Sequence, residues 1–419
     1  MTDTDKSFKH IFSSVTSPNT AYVQKMRESA VESLTTLELP TNKHEEWKYT
    51  SLKKIQNADY QFYTKKEFDN LSASFLPKGA EDCYVLVVVN GILELSLSEI
   101  PQEISILSLQ EANEKGFLDN YFSAITNDKN EFFTALNTAY ANNGLYICIP
   151  KNVVLQKDLL ICQISKGSEQ ALAFQQRNLL IAEANSQAKI GFLYLNPEEK
   201  EVFSNEVTEI FVAANASLSL NNIQNEGEKN TKISTIYAKQ ERQSKLAFTT
   251  ISLSGHIVRN NLNICISGEY SESYMNGLSL LKSNTHVDHH TLADHQSPNS
   301  YSSELYKGVF DENSTGVFNG KIYVRQAAQK TNAYQQNRNI LLSEQASIYT
   351  KPQLEIWADD VKCSHGATTG KLDESAIFYM RARGISETEA KKLLLRAFAQ
   401  EIIDKLDMEV LKNYLEDLI

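Results

Sequence analysis

Apolar residues at Val23, Met26, Ala30, Leu34 and Leu37 fall three and four positions apart, which predicts an amphipathic helix over about 20–37, ended by Pro40. A polar and aromatic stretch follows, Lys43-His44-Glu45-Glu46-Trp47-Lys48-Tyr49-Thr50. The period then shortens. Residues 84–89 and 92–97 flank Asn90-Gly91, the pair that a type I′ hairpin favours because both of its central residues need positive φ. A second helix is expected over about 130–141, stopping at Asn142-Asn143-Gly144, and residues 145–149 and 159–164 read as short strands.

From about 170 to 370 one short alternating segment follows another, with Asn, Ser and Gly between them. The segments repeat: Ile190, Leu218, Leu246 and Tyr274 stand 28 positions apart. Gly316-Val317-Phe318-Asn319-Gly320 resembles Tyr274-Met275-Asn276-Gly277 but comes later, and the extra residues include a His/Asp-rich stretch over 286–300. A degenerate repeat of short strands predicts a mainly β protein, a parallel β-helix in which each coil covers the apolar edge of the last. A β-sandwich is the alternative, but its hairpins call for more Gly and Pro than the 16 and 8 present.

The C-terminus returns to helix. Residues 373–383 are helical in pattern, with Gly384 as the residue just past the end. Ser386-Glu387-Thr388-Glu389 is a capping box opening a helix to about 406, whose apolar stripe is Leu393, Leu394, Ala397, Phe398, Ile402 and Leu406. A shorter helix is expected over 409–418. The stripe is expected to pack on the last rungs, and the helices at both ends of the chain are expected to cap the solenoid. The expected division is a helical and mixed region over 1–130, the β-helix over 131–371 and a helical region over 372–419.

Composition narrows the function. Of 419 residues, 42% are hydrophobic, enough for a large core, and the net charge of −11 argues against a broad basic surface for nucleic acid. The most apolar run, Cys83 to Val89, is too short to span a bilayer, and the polar start Met1-Thr-Asp-Thr-Asp-Lys-Ser7 is unlike a secretory signal. A cytoplasmic protein is expected, without nucleic acid or membrane as partner. Five cysteines at 83, 148, 162, 265 and 363 form no C-x-x-C pair. Four lie in apolar settings and read as small core residues; Cys363 lies between Lys362 and Ser364-His365.

Gly316–Lys321 and Gly366–Lys371 are the nearest approaches to a phosphate-binding loop, and both have the wrong spacing. No dinucleotide, zinc-protease or nucleophile-elbow motif occurs, so most enzyme classes lose support. Two constellations remain. On a strand, Cys363 and His365 share a face and make half of a soft metal site, with Lys362 and His365 placed to lower the thiol pKa; a buried polar pair is the other reading. In the stretch 286–295, His286, Asp288 and His290 share a strand face, as a metal site or as a hydrogen-bonded polar ladder.

The stretch 351–370, which ends in Asp359-Asp360-Val361-Lys362-Cys363-Ser364-His365-Gly366-Ala367-Thr368-Thr369-Gly370, resembles the signature of the SufB/SufD family of iron–sulfur cluster assembly. So do Glu304-Leu305-Tyr306-Lys307-Gly308, Val317-Phe318-Asn319-Gly320-Lys321 and Phe378-Tyr379-Met380-Arg381-Ala382-Arg383-Gly384. Glu45-Glu46-Trp47-Lys48-Tyr49-Thr50 and the moderate length place the resemblance on the SufD side, with a SufB-type chain as the alternative. A β-helix carbohydrate-active enzyme is a more distant one. The resemblance implies a right-handed β-helix between helical regions and a non-enzymatic scaffold that pairs with SufB. It implies that the ATPase SufC docks near Tyr379, Arg381, Arg383 and Gly384, and that the SufB contact lies on the last rungs, at Cys363 and His365. It implies no tightly held cofactor, but iron or a cluster at the SufB–SufD seam. A homodimer of the chain alone is a further alternative to the complex with SufB.

Overall fold

The computed structural model describes residues 19–63 and 75–418; the polar start Met1–Ser7 lies outside them. The strands from Leu172–Ala182 to Lys362–Gly370 alternate between two ten-stranded sheets, and every pairing along this run is parallel. With Leu145–Ile149 and Leu159–Ile164 ahead of them they form a β-solenoid of about eight coils, each giving one strand to each sheet. The sheet that ends on Ser347–Ile356 is called sheet A and the one that ends on Lys362–Gly370 sheet B.

Alternation along each strand sends every second side chain into the bore. In sheet A the partners Ile210, Ala238, Ile264, Ala293, Ile322 and Leu354 stack there coil upon coil. In sheet B the corresponding column is Ile190, Leu220, Phe248 and Met275. The coils turn at residues in the left-handed region, among them Asn185, Asn215 and Asn299, a conformation that Asn tolerates better than most residues. Side chains of Asn152, Asn185 and Asn215 join successive corners at 2.8 and 3.1 Å.

The hairpin forms as expected: Asn90 and Gly91 have φ of 49° and 82°, and Tyr84–Val89 pairs antiparallel with Ile92–Leu93. Tyr84–Val89 also extends sheet B, and Ser105–Ser108 extends sheet A by pairing antiparallel with Leu145–Ile149. Both sheets therefore begin before residue 130.

Register corrects the strict repeat. Ile190 pairs with Leu220 rather than Leu218, and Leu246 with Ser273 rather than Tyr274. Coil length drifts because the corner segments differ in length, while the strands keep their inward and outward alternation.

The helices do not cap the bore. The helices Ala21–Thr36 and Phe132–Tyr140 lie on the outer face of sheet A, where Trp47, Ile55 and Phe133 pack against Ala173, Phe203 and Ile233. The helices Glu387–Ile403 and Glu409–Glu416 run along the outer face of sheet B. Ala399, Ile402, Met408 and Leu411 cover Leu193, Ile223, Ile251 and Leu278 there, well before the last rung. The final helix reaches the early coils, where a Cβ on Gly191 would come within 2.8 Å of Met408 Sδ. On Glu387–Ile403 the buried set is Ala390, Ala399, Ile402 and Ile403, and Leu393 of the expected stripe is exposed.

Candidate functional site

The last rung of sheet B, Lys362–Gly370, pairs with Asn332–Leu341 on one side and has no described strand on the other. Its residues are exposed except Cys363 and, at its neighbour's end, the strand Ser347–Ile356 is only half-buried. A parallel strand's residue turns its N–H and C=O to the same side. Lys362 N–H donates to Thr331 C=O, so the backbone groups of Cys363 and His365 face the open edge. Ile356 and Trp357, at and just past the end of the last strand of sheet A, are exposed and give this end an apolar rim, while Tyr349 on the outer face of that strand stacks on Tyr49 at 4.0 Å.

Cys363 and His365 share the inward face, as their spacing predicts. Cys363 pairs with Ala333 and packs against the apolar bore. Burial pushes its thiol pKa up, against a backbone hydrogen bond from Ala333. That reverses the expectation of a lowered value: Lys362 projects to the opposite face, and His365 stands at the solvent-open mouth. The pair gives two soft ligands, and among the described residues no group of three or more His, Cys, Asp and Glu is placed to hold a metal ion. A metal held here would need further ligands beyond these two.

His286, Asp288 and His290 also share a face, the outer face of sheet A, and the segment Glu46–Thr50 lies over them. Thr50 Oγ1 bonds His286 Nε2 at 2.9 Å and Asp288 Oδ2 at 2.5 Å. Arg259 pairs with Asp288 at 2.8 Å and lies 4.1 Å from the Trp47 ring centroid. The His290 ring stands between Asp288, 3.0 Å away, and Glu46, 3.1 Å away, and Lys321 reaches the other Glu46 oxygen at 2.6 Å. The His290 hydrogen bond, helped by Lys321 and opposed by burial, holds the Glu46 carboxyl down at about 2. Burial opposes ionisation of Asp288 too, yet Arg259 and His290 outweigh it and hold its carboxyl below the usual range. The cluster ties the N-terminal segment to the solenoid.

Tyr379, Arg381, Arg383 and Gly384 sit on and after the helix Glu374–Ala382, away from the bore. Phe378 is 73% and Tyr379 59% exposed. Arg383 bonds Tyr379 Oη at 2.5 Å, Arg381 pairs with Glu387 at 3.3 Å, and Gly384 has φ of 90°. The hairpin made by this helix and Glu387–Ile403 is held to sheet B by Lys307, buried, which reaches Glu401 at 2.5 Å and Phe398 C=O at 2.9 Å.

Two residues that sequence reasoning did not single out lie beneath His365. The inward column of sheet B continues past Met275 as Glu304, Gln335 and His365, one per coil. Glu304 was visible only as part of the Glu304–Gly308 motif; its place below the last rung follows from register, which the sequence does not carry.

Comparison with known proteins places the chain in a family. A family model for the SufBD core domain of the SUF iron–sulfur cluster assembly system matches residues 164–398, and one for the SufBD N-terminal region matches residues 4–161. The chain belongs to the SufBD family of iron–sulfur cluster assembly proteins. Among its relatives are the iron–sulfur cluster assembly protein SufD of Escherichia coli, 31% identical over 90% of this chain and 87% of the relative, and SufD of Bacillus subtilis, 24% identical over 95% and 93%. A SufBD family protein of Synechocystis is 32% identical over 94% of this chain and 89% of its own length. No described helix is long and apolar enough to cross a membrane.

Proposed function

We propose that this chain is the SufD-type scaffold subunit of a SUF assembly complex. Its open end pairs with SufB, its C-terminal hairpin docks the ATPase SufC, and His365, with Cys363 beside it, offers ligands to the iron or nascent cluster being assembled. The observation that carries this reading is the placement of Cys363 and His365 together on an uncapped last rung with an apolar rim. An unpaired edge of this kind invites strand pairing with a second chain, and two ligands call for others from that chain. The thiol is kept protonated by burial, so His365 is the better first ligand of the two. Hydrolysis of ATP is assigned to SufC, because this chain has no phosphate loop.

The test is co-expression with SufB and SufC. His365→Ala is expected to leave the complex intact and lower its cluster content. Unchanged cluster assembly in that variant overturns the reading of the site.

A further inference from the structure

In one inward column of sheet B apolar stacking gives way over the last three coils. At the position filled by Ile190, Leu220, Phe248 and Met275 in earlier coils, the chain places Glu304, then Gln335, then His365. Glu304 and Gln335 are almost wholly buried. Gln335 Nε2 donates to Glu304 Oε2 at 2.6 Å. Gln335 Oε1 is buried with no hydrogen-bond partner. An orphaned carbonyl oxygen in a bore costs roughly 1–3 kcal/mol, so its retention asks for a partner.

The bore makes room for this amide on purpose. Across it, on sheet A, stands Gly320, where a Cβ would come within 2.4 Å of Gln335 Nε2. Any other residue there would push the amide off its place.

His365 is the next residue on the same face, on the strand paired with that of Gln335. Paired strands lie about 4.8 Å apart, a gap that a glutamine amide and an imidazole close between them. An imidazole that serves as a ligand presents one nitrogen to the metal and needs an acceptor for the N–H of the other.

We infer that Gln335, held by Glu304, is the positioning residue that accepts a hydrogen bond from one ring nitrogen of His365 and so fixes which nitrogen is turned to the cargo. This deepens the proposed role of His365 and rests on it. Neither Glu304 nor Gln335 touches the metal. Glu304 steadies the amide, the amide selects the tautomer, and Gly320 leaves the space in which it does so.

Ring nitrogen NMR on the full-length chain labelled with 15N-histidine tests this at about pH 8, above the ordinary imidazole pKa of about 6.5. Loss of signals in His365→Ala assigns the residue. The wild-type chain is expected to show two widely separated ring-nitrogen shifts, those of one tautomer. In Gln335→Met, which keeps the volume and removes the acceptor, the two shifts are expected to move toward each other as the tautomers mix. Gln335→Glu, which keeps an acceptor, is expected to restore the separation. The same separation in Gln335→Met as in the wild-type chain overturns the inference. Should Gln335→Met fail to fold, Gly320→Ala is read in the same way, since it displaces the amide from the opposite wall. None of these spectra needs SufB, SufC or iron. An unchanged assembly rate in His365→Ala would therefore refute the functional reading without touching this result, and the reverse holds as well.

Discussion

The Thr50 hydroxyl donates to the Asp288 carboxylate at 2.5 Å across 238 positions of chain and so joins the N-terminal segment directly to the solenoid. Asp288 is also the counter-ion of Arg259, whose guanidinium is buried under Trp47. Removing one member of a buried pair leaves the other charged and unpaired. Asp288→Ala is therefore expected to destabilise the chain by about 3 to 5 kcal/mol, and Thr50→Val by about 1 kcal/mol. Urea unfolding measures both; a loss below about 1 kcal/mol for Asp288→Ala would show that the cluster is not the tie described.

Two buried histidines set the acid side of the stability profile. Burial holds His289 and His295 down at about 4, and His295 is bonded to Ser300 at 2.7 Å and Ser302 at 2.8 Å. The unfolded chain takes up these protons first. Each contribution is thus complete above about 6.5 and lost as the pH falls toward about 4. Between pH 7 and 5 the wild-type chain is expected to lose about 2 kcal/mol more than His295→Gln. Parallel urea midpoints for the two chains across that interval would contradict it.

Glu304 acts with the opposite sign. Burial lifts its carboxyl to about 7, against its hydrogen bonds, so the folded state holds a proton that the unfolded chain releases from about 4.5 upward. Its contribution is full below about 4.5 and lost as the pH rises through about 7. Glu304→Gln cannot ionise and keeps an acceptor for Gln335. Relative to wild type, that variant is expected to gain about 2 to 3 kcal/mol on going from pH 5 to pH 8. A constant difference across the interval would place the Glu304 pKa near its unfolded value.

What the sequence carried and what it did not can be traced to range. The Asn90-Gly91 hairpin and the Gly384 helix end are local, and both were legible. Alternation announced the strands and the 28-position spacing announced the repeat, because each coil meets the same environment. Register was not legible: Ile190 faces Leu220, since corner lengths are absorbed in the turns and leave no mark on the strand pattern. Nor was the face chosen by the C-terminal helices. Helix Glu387–Ile403 buries Ala390 and Ala399 as well as Ile402, because a small residue lets the helix approach the flat outer face of sheet B closely. Glu46, Trp47 and Thr50 stand out as a local motif, but their partners Arg259, Asp288, His290 and Lys321 lie more than two hundred positions away. For the thiol of Cys363, neighbours in sequence misled, because adjacent strand residues point to opposite faces.

The docking proposed for the hairpin after the solenoid can be tested apart from stability. Phe378 and Tyr379 are exposed, whereas Ile377 beside them is buried. Phe378→Ala and Tyr379→Ala are expected to change unfolding free energy by less than about 0.5 kcal/mol, while co-purification with SufC falls. Ile377→Ala is expected to cost about 2 kcal/mol or more. Retention of SufC by the double variant Phe378→Ala/Tyr379→Ala would move the docking surface elsewhere.

The open edge allows a sharper separation, because alternate residues of Lys362–Gly370 turn their N–H groups in opposite directions. Lys362 donates to Thr331, so the even-numbered residues face Asn332–Leu341 and the odd-numbered ones face outward. Proline at Ala367 removes an outward N–H with which no described strand pairs; edge strands tolerate this. Proline at Thr368 removes a bond of the existing ladder. Ala367→Pro is therefore expected to leave the isolated chain folded, with an unfolding midpoint near wild type, and to abolish co-purification with SufB. Thr368→Pro is expected to lower the midpoint of the isolated chain. If both substitutions spare the SufB complex, pairing does not run through this strand. If Ala367→Pro unfolds the chain as Thr368→Pro does, its N–H is used within the chain and the edge is not open.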